Sequence, residues 1–176
     1  MMTFFEQFNG ADLVMETVQI NIFAFDELSD DAKEKAREWW RSRCEPLAWS
    51  DESRGSIEAF CDHFGVTLND WSVGPFQSFE YSTNAENRHF RGIRLSRVDR
   101  DAMPTGYFLD ATLWITFHDH FKKTGDAKGA FDAALWEAFK AWRDDMEWQL
   151  SDEAVDETII ANEFHFEESG KFWGMK

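Results

Sequence analysis

Cysteine is nearly absent: the chain holds two, Cys44 and Cys61, among 176 residues. Neither a disulfide framework nor a cysteine-based zinc site is expected from so few. Also missing is any stretch approaching the roughly 20 apolar residues that cross a bilayer. The opening segment 1–16 has no basic start, no continuous apolar run and no small-residue cleavage site. A signal peptide is therefore not expected, and the cytoplasm is the expected compartment. Cations are scarce too, with 18 Lys and Arg against 34 Asp and Glu, a net charge of −16. Such a surface repels DNA, RNA and anionic lipid, because nucleic-acid affinity comes largely from cations that displace phosphate counterions. Finally, there is no Gly-x-Ser-x-Gly, no phosphate-binding glycine loop, no Gly-x-Gly-x-x-Gly and no His-Glu-x-x-His. These are the signatures that announce hydrolases, nucleotide enzymes and zinc proteases. No enzymatic activity and no cofactor are expected.

What the chain has in quantity is aromatic residues, 18 Phe and 9 Trp. Each buried ring removes roughly 150–250 Å² from water, so half of them would furnish a substantial core. Disorder ordinarily goes with few aromatics, and a folded chain is expected here despite the charge.

The patterning alternates between two periods. Residues 17–25 place Val18, Ile20, Ile22 and Ala24 against Gln19 and Asn21, the period of two of a strand with one buried face. Ser29 sits where a helix N-cap belongs, with Asp30 and Asp31 in the first turn and Lys and Arg towards the far end. Ile57, Phe60, Cys61 and Phe64 form an apolar helical stripe closed by Gly65, which makes Cys61 a core residue rather than a reactive thiol. Segment 66–83 reads as two short strands broken at Gly74-Pro75, and 90–98 as a third strand of the same meander. Over 108–121 the apolar residues Leu109, Leu113, Phe117 and Phe121 recur every four positions and predict a helix, against a strand-like composition at 114–117. A long helix follows over 126–149, buried through Phe131, Leu135, Ala138, Trp142 and Met146. Ser151 repeats the Ser29 cap chemistry ahead of a last short helix, and 163–167 reads as a final strand. The order predicts an α+β fold, a mostly antiparallel sheet packed against four to five helices. It forms a single domain over 17–176 with 1–16 as an N-terminal extension.

Three constellations invite chemistry. His118-Asp119-His120 is the first, and a metal-dependent enzyme using His118 and His120 is the alternative of another class. On a helix, residues two apart do not share a face, so the pair could not chelate one ion together, whereas on a strand it could. The second is Arg88, Arg91, Arg94, Arg97 and Arg100, one arginine every three residues. They read either as a site for an anion or acidic partner, or as cross-links to carboxylates of neighbouring elements. A period of three matches neither face of a strand.

The third is the acidic run Asp144, Asp145, Glu147, Asp152, Glu153, Asp156 and Glu157, the expected partner-binding residues. If largely helical, the 14 positions from 144 to 157 would span about 21 Å. That is about one charge per 3 Å, close to the roughly 3.4 Å phosphate spacing of a DNA strand. Geometry thus permits a nucleic-acid mimic that occupies a basic groove, although a helix scatters the charges around its axis. The competing reading is a solvated face flanking a buried tryptophan stripe, with acidity serving solubility.

Several segments carry a resemblance. Phe25-Asp-Glu-Leu-Ser-Asp-Asp-Ala-Lys-Glu-Lys-Ala-Arg-Glu-Trp-Trp-Arg41 resembles the opening signature of small acidic phage and prophage proteins of enterobacteria. The similarity continues through 56–65, 71–75 and 89–92, then Met-Pro-Thr-Gly-Tyr at 103–107 and Ala-Trp-Arg-Asp-Asp-Met-Glu at 141–147. Members are often labelled antitoxins of toxin–antitoxin stability systems. The resemblance implies a mobile-element protein of the bacterial cytoplasm and brings no catalytic or binding motif with it. The expected function is inhibition of a basic, nucleic-acid-handling host protein by direct contact, as an anti-CRISPR or antirestriction protein does. An antitoxin that neutralises its toxin is the alternative.

Overall fold

A computed structural model of the chain describes residues 19–43 and 50–175. These residues form five helices and two small antiparallel sheets, an α+β arrangement. The chain divides into two compact units, one joining its N-terminal part to everything from Asp152 onward, the other ending at Ser151. The expected boundary at residue 17 lies outside the described residues.

The first unit brings the two ends of the chain into one sheet. Strand β1 (Ile22–Ala24) pairs antiparallel with β4 (Phe164–Glu167), which pairs with β5 (Phe172–Met175), in the order β1-β4-β5. Helices α1 (Asp30–Arg41) and α5 (Asp152–Ala161) complete it. Ser29 caps α1 as expected, its Oγ accepting the Ala32 N–H at 3.4 Å. The core holds Phe25, Leu28, Ala32, Ala36, Val155, Ile159 and Phe166, and Trp39 stacks on Phe172 with ring centroids 3.9 Å apart.

Two corrections arise in this unit. The first strand is three residues long, and its buried side is the one opposite to that expected: Ile20 and Ile22 are exposed, while Phe23 is half-buried and Phe25 buried. Aromatic volume decides the face, because Phe25 meets Phe166 edge-on and outweighs the smaller aliphatics. This unit also contains an unexpected strand, β5, whose residues show too short and too glycine-interrupted a pattern to read as a strand.

In the second unit, α2 (Ser50–His63), α3 (Phe108–Thr124) and α4 (Ala127–Gln149) surround an aromatic core, with a hairpin of β2 (Leu68–Ser72) and β3 (Glu80–Thr83) packed on it. The three apolar stripes lie where the 3.6-residue period puts them. Ile57, Phe60, Cys61 and Phe64 of the α2 stripe are buried, as are Leu109, Leu113 and Phe117, and Phe131, Leu135, Ala138, Trp142 and Met146. Phe60 stacks on Phe131 at 5.4 Å and meets Trp114 edge-on. Burial pushes the Cys61 thiol up to about 12, which keeps it protonated and inert. The helix at 108–121 is thereby resolved in favour of periodicity over composition. Gly125, at φ 72°, closes α3 by donating its N–H to Phe121 O at 2.8 Å.

The strand expected over 90–98 is not one. Residues Asn87–Phe90 and Leu95–Arg97 form two 3₁₀ turns, separated by Gly92 in the left-handed region at φ 78°. Of the five arginines, Arg88 and Arg97 lie in these turns, while Arg91 and Arg94 flank them in extended conformation. Phe90 and Val98 are the buried anchors at its two ends.

Candidate functional site

The acidic run is not one ladder. Helix α4 ends at Gln149 and α5 begins at Asp152, the break expected at the Ser151 cap, so the run is divided between two helices that belong to different units. Each half has its own character.

On α5, Asp152 and Asp156 are spent on α1. Arg37 grips Asp156 with two parallel hydrogen bonds, Nε to Oδ1 and Nη2 to Oδ2, both 2.7 Å, and reaches Asp152 at 3.7 Å. Arg41 also pairs with Asp152, and both arginines contact Glu34. The bond to Asp156 raises the Arg37 pKa above its already high value. This two-pronged contact fastens one helix to the other, so Asp156 serves stability before recognition. Glu153 and Glu157, by contrast, are exposed and have no ion pair among the described residues.

On the last turns of α4, Arg143 sits 2.6 Å from Asp144 and 3.4 Å from Glu147, and Lys140 3.6 Å from Asp144. The Arg143 hydrogen bond holds the Asp144 carboxyl below its usual range. Asp145 accepts only a neutral donor, Gln149 Nε2 at 2.7 Å. Between these acids stands an aromatic residue that sequence patterning did not single out. Trp148 is 55% exposed, and it lies three and four positions after Asp145 and Asp144, which makes them its neighbours on the helix surface.

A second exposed aromatic is tied to the same helix. Phe76, 74% exposed, adopts φ 59°, a left-handed conformation that costs a residue with a side chain, and its N–H donates to Glu147 Oε1 at 3.0 Å. Gly74-Pro75 signals the break in the chain. The positive φ at Phe76 has no counterpart in residue type, which is why the sequence pattern passes over it.

No family model, curated protein or solved structure matches this chain.

The remaining candidates separate cleanly. His118 and His120 lie on α3, two residues apart on a helix and so on different sides of it. His118 Nδ1 contacts Asp119 Oδ1 at 3.1 Å, and Asp119 is held by Arg100, also at 3.1 Å. The Arg100 hydrogen bond keeps the Asp119 carboxyl down at about 2. Among the described residues no cluster of three or more His, Cys, Asp or Glu is placed to hold a metal ion. The arginine series is also mixed. Arg100 reaches Asp119 on α3, as the cross-linking reading expects, Arg88 and Arg100 also make the local pairs with Glu86 and Asp101, and Arg91, Arg94 and Arg97 are exposed and make no ion pair among the described residues. No helix among them is long and apolar enough to cross a membrane.

Proposed function

We propose that this protein is an inhibitory binding protein of a mobile element, acting in the bacterial cytoplasm on a basic, nucleic-acid-handling host protein such as a CRISPR or restriction component. The observation that supports this best is the end of α4, where Trp148 projects into solvent beside Asp144 and Asp145. Protein interfaces take most of their energy from a few aromatic or arginine anchors and use a charged rim for specificity and on-rate. An aromatic anchor inside an acidic rim suits a basic partner. The resemblance of 25–41 and the later segments to phage and prophage proteins points the same way.

The mode of contact differs from phosphate mimicry. With the acidic run broken at Leu150 and Ser151, the reading rests on an anchored acidic patch and not on a regular row of charges. On α4, Asp145 has no cation paired to it among the described residues, and it is the acid expected to meet the partner beside Trp148. The antitoxin reading uses the same surface and differs in the identity of the partner.

Capture from a host lysate at low and at high salt, with identification of what is retained, tests the proposal. A basic nucleic-acid-handling protein is expected at low salt and is lost at high salt, since exposed charges are screened. Trp148→Ala is expected to weaken that capture about tenfold or more, the effect of losing a central aromatic anchor. A small toxin retained in its place would establish the antitoxin reading. Retention that is indifferent to salt and to Trp148→Ala would refute an acidic, tryptophan-anchored interface.

A further inference from the structure

The sequence places the longest run of cations in this acidic chain at 88–100, and the structure folds its unpaired members around a hollow. Arg91, Arg94 and Arg97, with His63 and His89, line a cavity of about 260 Å³ floored by Phe64, and no carboxylate lines it. The two outer arginines, Arg88 and Arg100, have acidic partners, and the three inner ones have none among the described residues. In a chain with 34 acidic residues, three exposed guanidinium groups gathered without a paired carboxylate are free to receive an anion.

The surroundings hold these groups in place. Gly92, at φ 78°, turns the chain between Arg91 and Arg94, a conformation that residues with a Cβ rarely adopt. Phe90 and Val98 are buried on either side and fix the ends of the arginine segment. His63, the last residue of α2, packs edge-on against Phe64 at 4.9 Å and Trp114 at 4.7 Å. His89 Nδ1 lies 3.0 Å from the Glu86 backbone N–H, which can only donate. The same nitrogen lies 3.1 Å from Glu86 O, so the ring is held against the Glu86 backbone.

We propose that this cavity is a binding site for a compact, multiply charged phosphate-type oxyanion, a phosphate or diphosphate group. Guanidinium groups present paired N–H donors that match phosphate oxygens, and three of them offer more than a monoanion could satisfy. The volume falls below the roughly 300–1,000 Å³ of pockets that enclose a drug-sized molecule, which limits the enclosed portion to the anionic group itself. The site is independent of the acidic patch on α4 and stands or falls without it.

Isothermal titration of the full chain with pyrophosphate, inorganic phosphate and ADP, with acetate as a monoanion control, tests the assignment. Pyrophosphate is expected to bind saturably at one site and acetate not to bind. The combined variant Arg91→Ala/Arg94→Ala/Arg97→Ala is expected to lose about tenfold or more in affinity, while Arg88→Ala, outside the cavity, keeps it. Because the side chains removed are exposed, the variant should retain its circular dichroism, and Arg94→Ala alone provides a milder version with a smaller loss in the same direction. ADP binding tighter than pyrophosphate would identify a nucleotide as the source of the anion. Equal or weaker ADP binding would identify the free oxyanion. No saturable binding of either, or binding as tight in the triple variant as in the parent, would overturn the proposal.

Discussion

Gly170→Ala is expected to lower the stability of the unit built from α1, α5 and the three-stranded sheet by roughly 2–5 kcal/mol. Gly170 sits in the turn between β4 and β5 at φ 85°, where its N–H donates to Glu167 O at 2.9 Å. It is also buried, and a Cβ built there would overlap the Ala32 carbonyl of α1. Two penalties therefore combine: a left-handed backbone that alanine resists, and an overlap with helix backbone, which cannot swing aside as a side chain can. Relief requires the hairpin to lift from α1, and that would disturb the packing of Phe166 and Phe172 beneath Trp39. Thermal unfolding together with amide exchange of β4, β5 and α1 measures the effect. An unchanged midpoint and unchanged protection would show that the hairpin does not press on α1 as described.

Asp110→Ala carries the second large expectation, a loss of about 2–4 kcal/mol in the unit that contains α3. Asp110 is fully buried in the first turn of α3. Its carboxylate accepts the N–H groups of Thr105 and Gly106, each at 2.9 Å, and the Thr105 hydroxyl at 3.0 Å. Thr105 Oγ1 lies 3.0 Å from Ser56 Oγ, so the network reaches α2. One carboxylate thus organises the Met-Pro-Thr-Gly-Tyr turn, complements the positive end of a helix and links two helices. Alanine leaves these donors facing an apolar methyl. Asp110→Asn keeps the shape and one acceptor oxygen, and is expected to cost about half as much. Equal destabilisation by both variants would mean that packing, and not hydrogen bonding, holds the turn.

Neither residue stands out in the sequence, and the reason is general. Helical periodicity is written in residue type, so the stripes Ile57 to Phe64, Leu109 to Phe117 and Phe131 to Met146 could be read directly and are buried where expected. Ser29 was equally legible, because a cap is a local device. The close approach of Gly170 to Ala32 joins residues 138 positions apart and leaves no local trace. The first strand shows the same limit: alternation identified a strand, but which face is buried depended on Phe166, far along the chain. At 90–98 the composition suggested a strand, and the chain forms 3₁₀ turns about Gly92 instead.

The candidate site was legible in part. Its acidic residues and the helix break ahead of Asp152 are plain in the sequence, whereas the diversion of Asp152 and Asp156 to Arg37 and Arg41 and the exposure of Trp148 are tertiary facts. A tryptophan among acids on a long helix reads equally well as core or as surface until the neighbouring elements are placed. The unpaired state of Arg91, Arg94 and Arg97 is likewise invisible until it is known which carboxylates lie within reach.

Contact that blocks nucleic-acid handling is the central claim, and competition measures it most directly. The basic protein captured by this chain would be given a labelled nucleic acid, and its binding followed by fluorescence anisotropy as this protein is added. The account predicts that the nucleic acid is displaced at low salt, and that Trp148→Ala shifts the displacement curve to about tenfold or higher concentration. A ternary complex, in which the nucleic acid stays bound with unchanged affinity while this protein is also bound, would contradict it.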